Sequence, residues 1–112
     1  MTTNICQIAL CVSDGAASLR FYEKLFGMRH VFGTRSFRGK HSDMIQGLTG
    51  VATRVDWLID DRPMFQLELF QYESPPSAPL ADGLDAHRVG YRRVIAQVDS
   101  LATSQRNGSI HA

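Results

Sequence analysis

Apolar residues up to position 72 follow the periodicity of strands in most stretches and the spacing of a helix in one. Residues 5 to 12 are almost continuously apolar and predict a strand. Ser13 or Asp14 then caps a helix over residues 15 to 26, and Gly27 ends it. The alternation further on predicts three more strands and one short helical turn: strands at 28 to about 37, 51 to 59 and 64 to 72, and the turn around 42 to 46.

A proline-rich segment separates this first unit from the end of the chain. The stretch SPPSAP carries three prolines in six residues and predicts a semi-extended linker, after which residues 91 to 98 form a fifth strand that leads into another helix. Setting QIALCVSD against RVIAQVDS aligns two apolar strands, each followed by a helix start. The element order therefore predicts one domain, 1–112, in three parts: a module at 4–73, a linker at 74–90 and a partial second module at 91–112.

Charge and composition exclude two classes of partner. The 112 residues include twelve basic and eleven acidic side chains, so no basic patch indicates binding to nucleic acid or anionic lipid. No apolar run approaches the roughly 20 residues that span a bilayer, and the start MTTN lacks the features of a signal peptide. We therefore expect a cytoplasmic protein with no nucleic-acid or membrane partner.

Neither the cysteines nor the histidines form a recognisable site. Cys6 and Cys11 fall on opposite faces of one predicted strand, so they cannot pair with each other and are interpreted as small buried side chains. The four histidines lack ligand-like spacing: His30, His41, His87 and His111.

Three segments resemble one protein family. IxQIALxVSD with SLRFYEKLFGM resembles the start of a module in the vicinal oxygen chelate superfamily, which includes glyoxalase I, methylmalonyl-CoA epimerase, extradiol dioxygenases and bleomycin-resistance proteins. FQLELFQYESP resembles the last strand of that module, and VGYRRVIAQVDSLA resembles the opening of a second one. The resemblance implies an α+β fold: a βαβββ module with a mixed, curved sheet and a helix on one face, plus the first strand and helix of a second module.

The same resemblance implies a metal site with two ligands in the first module. In this family the concave sheet face holds a divalent metal, such as magnesium, manganese, iron, nickel or zinc, and the ligand positions match Gln7 in the first strand and Glu68 in the last. The residues themselves leave alternatives open. A buried amide at Gln7 needs a metal or a hydrogen-bond partner such as a backbone group or water. Glu68 shares a strand face with Phe70 and is either a ligand or a solvated carboxylate on an open sheet face.

The second module departs from the family pattern. Active members usually carry histidine at the position equivalent to Gln7, but here it is Arg93, a permanent cation that cannot bind a metal. The stretch RNGSIHA follows soon after the second helix, so we expect no further strands and no second acidic ligand. In the first module, Arg54 and Asp56 share a face of the third strand. They pair with each other at the surface, or Arg54 contacts an anionic substrate or Glu68.

Three functions are compatible with these residues. One is a metal-dependent lyase, isomerase or dioxygenase in which Glu68 is catalytic, Gln7 and Glu68 hold the metal, and a partner chain completes the site. The second, which we favour, is a small-molecule-binding protein without a complete metal site. Its candidate ligand-binding residues are Arg93, Arg54, Tyr91 and Phe70. The third is a remnant that is stable only as an oligomer.

Assembly and metal content are linked in these expectations. A single module exposes a sheet face and an unpaired edge, so we expect a homodimer or larger homo-oligomer. Across a two-fold axis, Gln7 and Glu68 from both chains would supply four oxygen ligands, which suit magnesium, manganese or calcium better than zinc. In the competing arrangement, Arg93 pairs with Glu68 and replaces the metal. We expect the second arrangement.

Overall fold

The computed structural model describes residues 3–62 and 64–78, which form a four-stranded sheet with a helix on one face. The elements in chain order are β1 (Gln7–Cys11), α1 (Gly15–Phe26), β2 (Arg29–Arg38), α2 (Lys40–Gln46), β3 (Ala52–Ile59) and β4 (Gln66–Ser74). The strand order is β1-β4-β3-β2, with β1 parallel to β4 and the other two pairs antiparallel. This confirms the predicted α+β fold and mixed sheet. The predicted elements at 91–112 lie outside the described residues.

Local sequence signals set the bounds of α1. Asp14 is its N-cap, and the Asp14 Oδ1 atom accepts a hydrogen bond from the Ala17 backbone N–H at 3.1 Å. Gly27 ends the helix in the left-handed region, at φ +64°, where a residue without Cβ is favoured, and its N–H bonds to the Tyr22 carbonyl. The predicted range of 15 to 26 is therefore confirmed, with Asp14 rather than Ser13 as the cap. Neither helix among the described residues is long and apolar enough to cross a bilayer.

The core lies between α1 and the sheet face that it covers, which we call the helix face. Leu58 and Leu69 are fully buried there, and alternation along β3 and β4 places them on the same side. The buried cluster consists of Tyr22, Leu58, Leu67 and Leu69, with Phe21 and Leu10 among the partly buried side chains packed against it. The opposite side of the sheet, the open face, is therefore free of α1.

The first strand is less buried than its composition predicted. Among the described strands β1 lies at the edge of the sheet, beside β4, and Ile5 and Ile8 are 79% and 43% exposed. Cys6 and Cys11 are both free and exposed, so their interpretation as buried side chains is wrong. The reason lies in the tertiary structure, because α1 lies over β2, β3 and β4 and leaves β1 at the margin of the sheet.

Two local features affect the elements that border the open face, one in α2 and one in β2. The Asp43 carboxylate accepts hydrogen bonds from the backbone N–H groups of Gly50 and Val51, at 3.0 and 2.7 Å, which fixes α2 to the start of β3. In β2 the register with β3 shifts between Val31 and Arg35. Phe32, with φ +64°, lies in that irregular stretch.

Candidate ligand-binding cleft

A cleft of about 210 Å³ lies on the open face, where α2 borders the sheet. Its walls come from the sheet and from α2: Phe37, Val51, Thr53, Val55, Trp57, Glu68 and Phe70 from the sheet side, and Ser42, Ile45 and Gln46 from the helix. Most of these side chains are apolar or aromatic, and one of the ten is ionisable. A concave apolar surface with a few polar groups is the usual form of a small-molecule site.

Glu68 is that ionisable group, and Trp57 holds it in place. The two residues are direct neighbours in the antiparallel register of β3 and β4, so their side chains share the open face. The indole Nε1–H of Trp57 donates to Glu68 Oε2 at 2.5 Å. This charge-assisted bond fixes the carboxylate and the plane of the indole ring together.

Gln7 reaches the same carboxylate from the neighbouring strand. Its Nε2 lies 3.4 Å from Glu68 Oε2 and donates to Gln66 Oε1 at 2.5 Å. Gln7 is exposed, so its amide is not the buried polar group that its apolar neighbours suggested. The structure thus brings Gln7 and Glu68 together, as the family pattern implied, and a glutamine side chain serves as the amide's hydrogen-bond partner.

Aromatic rings lie beside the Trp57–Glu68 pair in the wall of the cleft. Phe37 meets the Trp57 ring edge to face at a centroid distance of 6.3 Å. Phe70 stacks on Tyr72 at 6.4 Å, and the Tyr72 hydroxyl donates to Gln46 Oε1 on α2 at 2.5 Å. Burial, with a smaller contribution from Cys11, raises the pKa of Tyr72, so this hydroxyl stays a donor at neutral pH. The bond ties α2 to β4 at the border of the cleft.

Arg54, predicted as a ligand-binding residue, lies on the other side of the sheet. It pairs in register with Gln71 on the helix face, and its Nε is 3.0 Å from Asp56 Oδ2. Arg54 and Asp56 therefore pair with each other, as one alternative held. The pair is not at the surface, because Asp56 is fully buried beneath α1, and Arg54 does not reach Glu68.

Asp56 is the centre of a polar cluster within the helix face. Its Oδ1 accepts a hydrogen bond from the Thr34 hydroxyl at 2.5 Å. His30 Nε2 is 3.1 Å from the same oxygen, but without the alignment of a hydrogen bond, and the His30 side chain is 23% exposed. The cluster satisfies a buried carboxylate inside an apolar layer, so its role is in packing and it is separate from the cleft.

Both side chains predicted as metal ligands, Gln7 and Glu68, lie among the described residues. Within residues 3–62 and 64–78 there is no group of three or more histidine, cysteine, aspartate or glutamate side chains able to hold a metal. Gln7 and Glu68 offer one amide oxygen and one carboxylate, so a hard divalent cation would need its remaining ligands from water, from other residues or from a partner chain. Tyr91 and Arg93, predicted to contact a ligand, lie outside the described residues.

Two parts of the cleft were missed by sequence reasoning. Trp57 is absent from the predicted site, although an indole donor beside a carboxylate on adjacent strands can be recognised once the hairpin register is known. The contribution of Ser42 and Gln46 has no comparable signal, because the position of α2 over the sheet depends on tertiary contacts.

Comparisons with known proteins agree with this architecture. The family model of the Glyoxalase/Bleomycin resistance protein/Dioxygenase superfamily matches residues 4–102. Among solved structures, the chain is similar to the crystal structure of a glyoxalase family protein from Bacillus cereus, with a TM-score of 0.79 and 16% sequence identity. That match covers 95% of this chain and 70% of the other, and at this identity it shows a shared fold. No curated protein matches the chain significantly.

Proposed function

The chain belongs to the Glyoxalase/Bleomycin resistance protein/Dioxygenase superfamily, and we propose that it is a small-molecule-binding member whose ligand site is the open-face cleft. The observation that supports this most directly is the pairing of Glu68 with Trp57 inside an apolar wall. A fixed polar group in an otherwise apolar cavity orients a ligand, while the apolar wall supplies most of the contact area.

The position of each residue relative to the cleft decides whether we assign it to this function. Glu68 is the polar anchor, Phe70 forms part of the wall and Gln7 borders the carboxylate from the strand edge. Arg54 has no part in it, because it lies on the helix face. We retain Tyr91 and Arg93 as proposed contributors from the part of the chain beyond residue 78.

A fragment screen tests the proposal. Small aromatic fragments should shift the amide resonances of Val55, Trp57, Glu68 and Phe70 in a ¹⁵N–¹H spectrum, because these residues line the cleft. Amides of α1 such as that of Leu25, which lie on the other side of the sheet, serve as internal controls and should not shift. If no fragment of a chemically diverse set perturbs the cleft resonances of the folded protein, the small-molecule function is refuted.

A metal-dependent lyase, isomerase or dioxygenase is the second candidate, and one observation favours it. Gln7 and Glu68 approach to 3.4 Å on neighbouring strands, at the two positions that the family pattern assigns to metal ligands. A partner chain would have to add the missing donors, and Glu68 would then be the group that moves a proton next to a carbonyl. Elemental analysis and manganese titration calorimetry test this: stoichiometric binding that Glu68→Gln abolishes would establish the metal site.

We also propose that the protein assembles as a homodimer or larger oligomer. The margin of the sheet at β1 exposes Ile5 and Ile8, and β1 is an unpaired edge among the described strands. Exposed apolar edge strands associate readily with a second strand or surface. Light scattering at micromolar protein should return at least twice the 12.5 kDa chain mass, and a monomer mass would refute this assembly.

A further inference from the structure

Glu68 has only neutral contacts in the described part of the chain. The Trp57 indole and the Gln7 amide are its hydrogen-bond partners, and neither carries a charge. None of the ion pairs among residues 3–62 and 64–78 includes Glu68. These residues therefore supply no counter-charge to the half-buried Glu68 carboxylate.

The nearby basic side chains are engaged elsewhere. Four arginines pair with carboxylates away from the cleft: Arg29 with Asp61, Arg38 with Glu73, Arg54 with Asp56 and Arg62 with Asp60. Arg35 is exposed, and its Nε donates to the Phe32 carbonyl at 3.1 Å. Lys40 and His41 at the start of α2 are exposed and do not line the cleft. Among residues 3–62 and 64–78, the side chains that line the cleft thus include one ionisable group, the Glu68 carboxylate.

The walls of the cleft suit a positive charge as well. Aromatic faces attract cations through their quadrupole, tryptophan most strongly. The Trp57 ring is held by its bond to Glu68 and by edge-to-face contact with Phe37. Because the ring is already fixed, the Trp57 side chain loses little conformational entropy when a ligand binds. Phe70 adds a second aromatic surface next to the carboxylate in the wall of the cleft.

We infer that the cleft binds an organic cation, an amine or quaternary ammonium group on a small apolar body. The charge lies against Glu68 and the apolar body lies on Trp57, Phe37 and Phe70. A bare metal ion would leave these aromatic walls unused, whereas an organic cation uses both the charge and the walls. The inference rests on the proposed small-molecule function and specifies the charge of its ligand, which takes the place of Arg93 in the Arg93–Glu68 pair expected from the sequence.

Three probes of similar size and different charge test it. They are benzyltrimethylammonium, benzyl alcohol and benzenesulfonate, chosen small because the cleft is below the roughly 300 Å³ of a drug-sized pocket. Titration calorimetry gives the affinities. Fluorescence reports the location directly, because Trp57 is the only tryptophan in the chain. We expect the cation to bind at least about tenfold more tightly than the neutral and anionic probes.

Two variants separate the role of Glu68 from a general loss of charge. Glu68→Gln keeps the shape and the capacity to accept from Trp57 but removes the charge, so it should weaken cation binding about tenfold and leave the neutral probe unchanged. Glu73→Gln is the matched control, since Glu73 lies on the same strand, outside the cleft, and pairs with Arg38. It should bind all three probes as the wild type does. Circular dichroism of each variant verifies the fold.

The alternative results are distinguishable. If the anion or the neutral probe binds as tightly as the cation, the charge inference is overturned while the small-molecule function stands. Tighter binding of the anion that Arg93→Gln abolishes would identify the arginine as the charged group of the cleft. If none of the three probes binds, the inference is also overturned, and the fragment screen then decides whether the cleft binds any small molecule.

Discussion

Replacing Asp56 with alanine should destabilise the protein by about 3 kcal/mol, although the residue lies outside the candidate site. Asp56 is fully buried, and three groups converge on its carboxylate. These are the Thr34 hydroxyl at 2.5 Å, Arg54 Nε at 3.0 Å and His30 Nε2 at 3.1 Å. In the Asp56→Ala protein the Thr34 hydroxyl and Arg54 Nε lose their hydrogen-bond acceptor, and His30 loses a close contact with a carboxylate.

The magnitude of this loss depends on the exposed fraction of each side chain that loses its partner. Removing one partner of a buried ion pair costs roughly 3–5 kcal/mol when the other charge stays buried. The Arg54 and His30 side chains are 26% and 23% exposed, so both regain part of their hydration and the loss falls at the lower end of that range. Arg54→Met is the reverse case. It leaves a carboxylate with no exposure and no permanent cation beside it, so its loss should exceed that of Asp56→Ala.

Urea unfolding followed by circular dichroism, at one fixed protein concentration, measures these differences. Asp61→Ala is the matched control because Asp61 also pairs with an arginine, Arg29, but is fully exposed, and its removal should leave the free energy of unfolding nearly unchanged. Equal losses for Asp56→Ala and Asp61→Ala would refute the argument from burial. A smaller loss for Arg54→Met than for Asp56→Ala would refute the argument from unequal exposure.

Three further predictions concern α1 and the core. Gly15→Ala should lower the free energy of unfolding by about 1 kcal/mol in a urea melt, despite alanine's helix propensity, because the added Cβ would lie 3.2 Å from Gln71 Oε1; a gain in stability would contradict this. Burial raises the pKa of Tyr22 above 10.0, so as pH rises this tyrosine ionises first in the unfolded state, and the free energy of unfolding decreases. Urea melts below and above pH 10 should show a smaller decrease for Tyr22→Phe than for the wild type. Leu69→Ala should cost about 3–4 kcal/mol because the side chain is fully buried, whereas a similar loss for the 43% exposed Ile8→Ala would show that burial is not the cause.

The parts of the fold that depend on local signals could be predicted from sequence. Asp14 and Gly27 fix the ends of α1 through hydrogen bonds within a few residues, so the predicted helix has the observed bounds. Alternation in β4 likewise predicted that Glu68 and Phe70 share a face, because the side-chain period of a strand does not depend on its neighbours.

The parts that depend on distant contacts could not be predicted. An apolar strand has the same composition at a sheet centre and at an edge, so the exposure of Ile8 and Cys11 had no signal in the sequence. The placement of Arg54 beneath α1 required knowing which face of β3 the helix covers. Trp57 acquires its role only through the hairpin register that brings it beside Glu68.

The parallel pairing of β1 with β4 has a consequence for the order in which the structure opens. β2, β3 and β4 are consecutive antiparallel strands, so the Trp57–Glu68 contact joins residues 11 apart in the chain. Gln7 is 61 residues from Glu68, and contacts over such a separation form late and are among the first to be lost. We therefore expect β1 to detach in sub-global openings that leave the three-stranded meander folded.

Native-state hydrogen exchange makes this order visible. The Val12 N–H, which bonds to the Phe70 carbonyl across β1 and β4, should exchange faster than the Leu58 N–H in the centre of the sheet. Equal protection of the two amides would mean that the sheet opens as one unit. A ligand that contacts both Gln7 and Glu68 would bridge the two units, so it should slow exchange at Val12 more than at Leu58, and that difference would report the ligand's reach across the cleft.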